Sequence, residues 1–151
     1  MIHNKHQHLM KKSIITFSIT LLIVLTISCK TSKTAVLSQK SLSGTSWELS
    51  TLMGKEISSA NYAKGIPDAV FGADGRVGGN GGCNRYSGSY SLNDDGKLAF
   101  GPMMATKMFC PGGGEEEYMK AIGQVNTAKI SNGNLVLLNG TDELLVFKPK
   151  K

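Results

Sequence analysis

The residues of this chain best placed to do chemistry are its three cysteines, Cys29, Cys83 and Cys110. Cys29 closes a patterned stretch: Lys11 and Lys12, then sixteen uncharged residues from Ser13 to Ser28, then the cysteine. A positive start, a short apolar run and a small residue before the cut describe an export signal. A cysteine immediately after Ser28 points to lipidation, which would make a diacylated Cys29 the new N-terminus. A transmembrane helix needs about 20 apolar residues, so the run is short for one. We therefore expect residues 1–28 to be a lipoprotein signal peptide, with residues 1–9 an over-long start before Met10. The mature chain would then hang from a bacterial envelope membrane.

Cys83 and Cys110 remain as a pair. In an oxidising envelope such a pair is expected to form a disulfide. Closing a loop of this length stabilises a fold by about 3–4 kcal/mol in the chain-entropy account. The alternative is a reactive thiol, which needs a cation or a helix N-terminus beside it to lower its pKa. Lys107 and Arg85 are near in sequence, but there is no CxxC motif. His3, His6 and His8 all precede the cut, so the mature domain holds no histidine. That excludes Ser-His and Cys-His nucleophilic pairs and every zinc site with a histidine ligand.

Other constellations have plainer readings. The run Gly78-Gly79-Asn80-Gly81-Gly82-Cys83-Asn84 invites a phosphate-loop reading, but it lacks the GK[ST] ending and a βαβ setting. Glycines in a sheet mark a bulge or a close backbone approach. Glu115, Glu116 and Glu117 would point about 100° apart on a helix and cannot converge on one ion. They are read as favourable charge at a helix start. Asp94-Asp95-Gly96 has only a fragment of a calcium-loop pattern and is read as a hairpin turn. Met103, Met104 and Met108, with Phe100 and Phe109, are read as core, the alternative being an adaptable binding surface. Trp47 is read as a core anchor whose N–H needs a partner. No catalytic, cofactor or metal site is expected, and the chain is not expected to be an enzyme.

The charge balance narrows the partners. The whole chain is +6, but residues 42–149 hold 9 basic against 11 acidic side chains. Such a domain lacks the basic face that nucleic acid requires. Lys30, Lys33 and Lys40 would sit by an anionic bilayer, each worth roughly 1 kcal/mol there.

Several elements must hold these residues in place. Residues 29–41 are polar and without periodicity, and are expected to form a flexible tether of roughly 18 Å. From Leu42 to Pro149 lies one domain of ordinary size. Turn signals recur at Met53-Gly54, Asp74-Gly75, Asp95-Gly96, Asn132-Gly133 and Asn139-Gly140. Strand-like runs lie between them: Ser46–Leu52, Ala69–Gly72, Arg76–Gly78, Tyr86–Leu92, Lys97–Phe100, Ala128–Ile130, Leu135–Leu138 and Glu143–Lys148. Successive hairpins predict a mostly β fold, a compact antiparallel barrel-like or curved sheet. The acidic start and the spacing of Tyr118, Met119 and Ile122 predict one short helix over about residues 114–124.

Leu42-x-Gly44-Thr45-x-Trp47-x-Leu49, Gly82-Cys83-Asn84-Arg85-Tyr86-Ser87-Gly88 and Met104-Ala105-Thr106-Lys107-Met108-Phe109-Cys110 follow in that order. A helix led by Glu115–Tyr118 and an Asn134–Leu137 strand complete the pattern. In this the chain resembles the META domain family, which includes the heat-shock lipoprotein HslJ, across residues 42–149. The resemblance implies a barrel-like antiparallel fold with a short helix and no known catalytic residues. It also implies an association with stress response and, in some bacteria, with novobiocin resistance. Gly82 and Asn84 would shape the turn presenting Cys83, and Cys110 would follow the Met104–Phe109 strand. Lys107 stands where the family tends to carry arginine, and a lysine there loses the bidentate contact.

The expected function is that of a non-enzymatic, lipid-anchored envelope protein that binds a partner in stress response or envelope maintenance. The alternative is a small hydrophobic ligand or drug held in a barrel-like pocket. Thiol redox activity at Cys83 and Cys110 is the weakest reading. Lys30, at the second mature position, is not an acidic retention residue, so the expected location is the outer membrane facing the periplasm.

Overall fold

The computed structural model describes residues 34–35 and 37–151. Cys29, the signal segment and the first part of the expected tether lie outside the described residues. The elements are β1 (Thr34–Ala35), α1 (Gln39–Ser43), β2 (Ser46–Leu52), β3 (Lys55–Glu56), β4 (Asp68–Phe71), β5 (Arg76–Asn80) and β6 (Arg85–Leu92). They continue with β7 (Leu98–Phe100), β8 (Met104–Ala105), α2 (Gly114–Ile122), β9 (Thr127–Ser131), β10 (Asn134–Asn139) and β11 (Asp142–Pro149). A 3-10 turn spans Ser59–Asn61.

All pairings are antiparallel, in the order β1-β9-β10-β11-β2-β4-β5-β6-β7, with β3 on β2 and β8 on β6. Local chemistry sets the hairpins. Met53-Gly54 and Asn132-Gly133 take φ of 49° and 75°, and 51° and 79°. Two successive left-handed residues match the twist of tight hairpins. The sheet curls until Lys97 bridges Thr127, and Ala128 N–H donates to the Gly96 carbonyl at 2.8 Å. The result is the expected mostly β, nearly closed antiparallel barrel.

The barrel is filled by side chains. Phe71, Leu98, Leu135, Leu137, Leu145, Phe147 and Tyr118 are all almost wholly inaccessible. Helix α2 supplies Tyr118, Ala121 and Ile122 from one face, as the helical period requires. Its first turn carries Glu115, Glu116 and Glu117, and Gly123 ends it.

The tether expectation is corrected from Leu37 onward. Leu37 and Leu42 are buried, and α1 opens with a capping box between Ser38 and Ser41. Gln39 Nε2 also donates to the Ala73 carbonyl at 2.8 Å. Two leucines five residues apart suffice to dock a single turn, although they are too few to print a period in the sequence. Among the described residues no helix is long and apolar enough to cross a membrane.

Candidate functional site

Three places concentrate the polar and exposed side chains of interest: a buried polar corner, a tyrosine pair and an open groove.

The corner is built on Asn84, a buried polar side chain just after β5 turns away. Its Oδ1 accepts from Thr106 Oγ1 at 2.8 Å and from Met108 N–H at 2.7 Å. Its Nδ2 donates to the Met108 carbonyl at 3.1 Å and to Glu115 Oε2 at 2.7 Å. The amide's hydrogen-bonding capacity is thereby filled. Glu115 Oε1 accepts from the N–H of Asn84 at 2.6 Å and of Cys83 at 3.3 Å. Beside this cluster Cys83 and Cys110 form a disulfide with their Cα atoms 5.9 Å apart. With its sulfur in a disulfide, Cys83 presents no thiolate, and Glu115 spends its lone pairs on the chain itself.

The glycine-dense run is explained by close approach. A side chain at Gly79 would collide with the Asp68 carbonyl, and one at Gly82 with the Tyr62 ring. Gly82 also takes φ 107°, a conformation that side-chain-bearing residues rarely adopt. Asn80 Oδ1 accepts from Gly82 N–H at 3.0 Å while its Nδ2 donates to the Lys64 carbonyl at 2.8 Å, fixing the turn that delivers Cys83.

Beneath the corner, Tyr86 and Tyr118 share a hydroxyl contact of 2.8 Å, and Tyr86 donates to the Asp68 carbonyl at 2.8 Å. Burial pushes both phenols far above the ordinary tyrosine range, so they stay protonated donors. Asp68 itself accepts from Asn80 N–H at 2.8 Å and pairs with Lys150 at 2.7 Å. That hydrogen bond raises the Lys150 ammonium pKa.

Trp47 lies in the core with its Nε1–H donating to the Leu42 carbonyl at 3.2 Å. The methionine reading needs correction. Met103 packs against the core, but Met104 and Met108 are exposed and Phe109 is 95% exposed. The expected Met104–Phe109 strand also stops at Ala105, because Asn84 takes both backbone groups of Met108. Sequence reasoning missed Glu115 as a partner. The signal for it, a carboxylate facing buried amides, exists only once residues about thirty positions apart meet.

The groove, about 880 Å³, crosses the outer face of β4, β5, β6 and β8. Register places Val70, Gly78, Ser87 and Met104 side by side across it. Arg76 and Arg85, both exposed, flank that row on either side. Arg76 makes a loose 3.6 Å contact to Asp74, both largely exposed. Arg85 is in no ion pair among the described residues.

Comparison with solved structures supports the fold. An NMR structure of a protein matches at 22% identity and a TM-score of 0.60, covering 75% of this chain and 95% of that one. An NMR structure of a protein from Burkholderia xenovorans matches at 27% identity and 0.59, covering 75% and 86%. A crystal structure of a DUF4847 family protein from Bacteroides vulgatus matches at 15% and 0.55, covering 75% and 97%. Comparison with curated proteins finds no match. The META domain family matches residues 40–151, which includes the corner, the tyrosine pair and the groove, and the chain belongs to that family.

Proposed function

We propose that this protein is a lipid-anchored component of a bacterial envelope whose META domain acts by binding a partner, in a stress-response or maintenance role, and not by catalysis. The observation that carries the reading is how the polar side chains of the corner are used. Glu115, Asn84 and the two cysteines are all engaged with one another or with backbone, which suits a rigid presenting scaffold. The anchor rests on the pattern ending at Cys29, and the outer membrane facing the periplasm is the location it suits. The filled barrel interior weighs against the alternative of a small hydrophobic ligand held inside, since Phe71, Leu98, Leu137 and Phe147 occupy that space.

Intact mass of the membrane-extracted protein tests this directly. The expected species begins at an acylated Cys29, with Cys83 and Cys110 unreactive to alkylation until reduced. Cys29→Ser should release the domain into the soluble fraction. An unacylated chain with two freely alkylated thiols would overturn the anchor and return thiol chemistry to first place.

A further inference from the structure

We propose that the groove outside β4, β5, β6 and β8 binds an extended acidic peptide segment of a partner protein. The segment would set an apolar side chain over Gly78 and, two residues to either side, carboxylates on Arg76 and Arg85. This rests on the binding role proposed above and names the occupant.

The geometry of the sheet leads there in three steps. First, the central row of the groove is apolar at its two ends and bare at Gly78, next to Val70. Val70 is 47% exposed and Met104 71% exposed, and between them lie Gly78, which has no side chain, and then Ser87. An outward sheet face ordinarily carries polar residues, so the gap at Gly78, between the exposed Val70 and Ser87 with the exposed Met104 one strand beyond, is a slot for one apolar side chain.

Second, the flanking charges follow the strand repeat. Arg76 lies two residues before Gly78 on β5. Arg85 lies two residues before Ser87, the partner of Gly78 on β6. Because β5 and β6 are antiparallel, the arginines fall on opposite sides of the slot, four positions apart or about 13 Å at 3.3 Å per residue. An extended peptide repeats the same interval. Its side chains at i−2, i and i+2 point to one face, so acid–x–apolar–x–acid places each group over its complement.

Third, the acids already present do not fill the cations. Asp68 is committed to Asn80 N–H and Lys150, and Asp74 holds Arg76 only at its exposed edge. Guanidinium and carboxylate can then meet in the forked geometry that favours arginine. A bilayer surface is broad and does not enter a groove walled by Val70 and Met104, which separates a peptide from an anionic lipid surface on shape.

The test is fluorescence anisotropy of a labelled peptide containing Glu-Ser-Leu-Ser-Glu, titrated with the full-length chain at low salt. Saturable binding is expected, weakening about tenfold in Arg85→Gln and again in Arg76→Gln, the scale of one charge-assisted contact each. Val70→Glu, at an exposed position, should abolish binding without unfolding the chain. Met53→Ser, on the distant β2–β3 turn, should leave it unchanged. A peptide with lysine for both glutamates should not bind. The proposal is overturned if the acidic peptide fails to bind, if the arginine variants bind it equally, or if only phosphatidylglycerol vesicles engage the chain. A failed peptide with acylated Cys29 intact removes the groove assignment alone. An unacylated Cys29 removes the anchored reading, whatever the peptide does.

Discussion

The β9–β10–β11 wall and the Asn84 corner solve the same problem, holding chain to chain, by opposite means. In the wall, neighbours in space are neighbours in sequence. Asn132-Gly133 turns β9 into β10, and Leu135, Leu137, Leu145 and Phe147 then bury themselves almost completely. In the corner, Asn84 reaches Thr106, Met108 and Glu115, which lie 22 to 31 residues away, and a disulfide closes a separation of 27. The wall is held by area, which is non-directional, and the corner by bonds that demand particular atoms. Strength and shape are thus divided between the two regions. The wall supplies the core, while the corner fixes Met104–Cys110 against the sheet and leaves Met104, Met108 and Phe109 facing water.

The sharpest way to break that division is Phe147→Ala. This ring is fully buried and stacks edge-on against Tyr118 with centroids 6.3 Å apart. Its loss should cost about 3–5 kcal/mol, read as a lower denaturant midpoint. Next, replacing both Cys83 and Cys110 by alanine should cost about 3–4 kcal/mol, because the loop they close is long. If the cysteine variant loses more than the Phe147 variant, the corner and not the wall carries the fold.

Alkali probes the boundary between the two regions, where Tyr86 and Tyr118 meet. Burial raises both pKa values above the ordinary 10.0, so the folded state keeps these protons longer than the unfolded chain. Their contribution is complete below pH 10 and is lost as pH climbs past it. By about pH 11 the fold should have lost about 1–3 kcal/mol. Phenolate absorbance checks this: two tyrosines should ionise only together with unfolding. All four tyrosines titrating in a still-folded chain would place Tyr86 and Tyr118 outside the core.

The wall was legible in the sequence, and the corner was only half so. Turn pairs with glycine and alternating apolar residues are local signals, and the strands expected from them at Leu135–Leu138 and Glu143–Lys148 lie within β10 and β11. Helix α2 followed from its acidic first turn and the spacing of Tyr118 and Ile122. The exposure of Met104, Met108 and Phe109 was not legible, because hydrophobic type argues for burial unless something long-range intervenes. Here Asn84 and the disulfide intervene; the disulfide was expected from the cysteine pair, but the bonds of Asn84 to Thr106, Met108 and Glu115 are written in no local pattern. Leu37 and α1 were missed for the related reason that one docked turn carries too few residues to show a period.

The finest discrimination lies between two neighbours of identical chemistry. Glu115 and Glu116 both stand in the first turn of α2, and both gain from the helix dipole. Only Glu115 accepts from the Cys83 and Asn84 amides and from the Asn84 side chain. Glu115→Gln keeps the size but turns one carboxylate oxygen into a donor facing other donors, and should cost about 2 kcal/mol. Glu116→Gln removes only an exposed charge near the helix start and should cost about 0.3 kcal/mol. Measured side by side under one denaturant, the two variants isolate directional bonding from mere charge. Equal losses would reduce the corner to helix-dipole electrostatics and leave the disulfide alone to hold Met108 in place. A large gap, with Glu116→Gln close to the parent chain, makes Glu115 the link by which α2 locks the turn at Asn84.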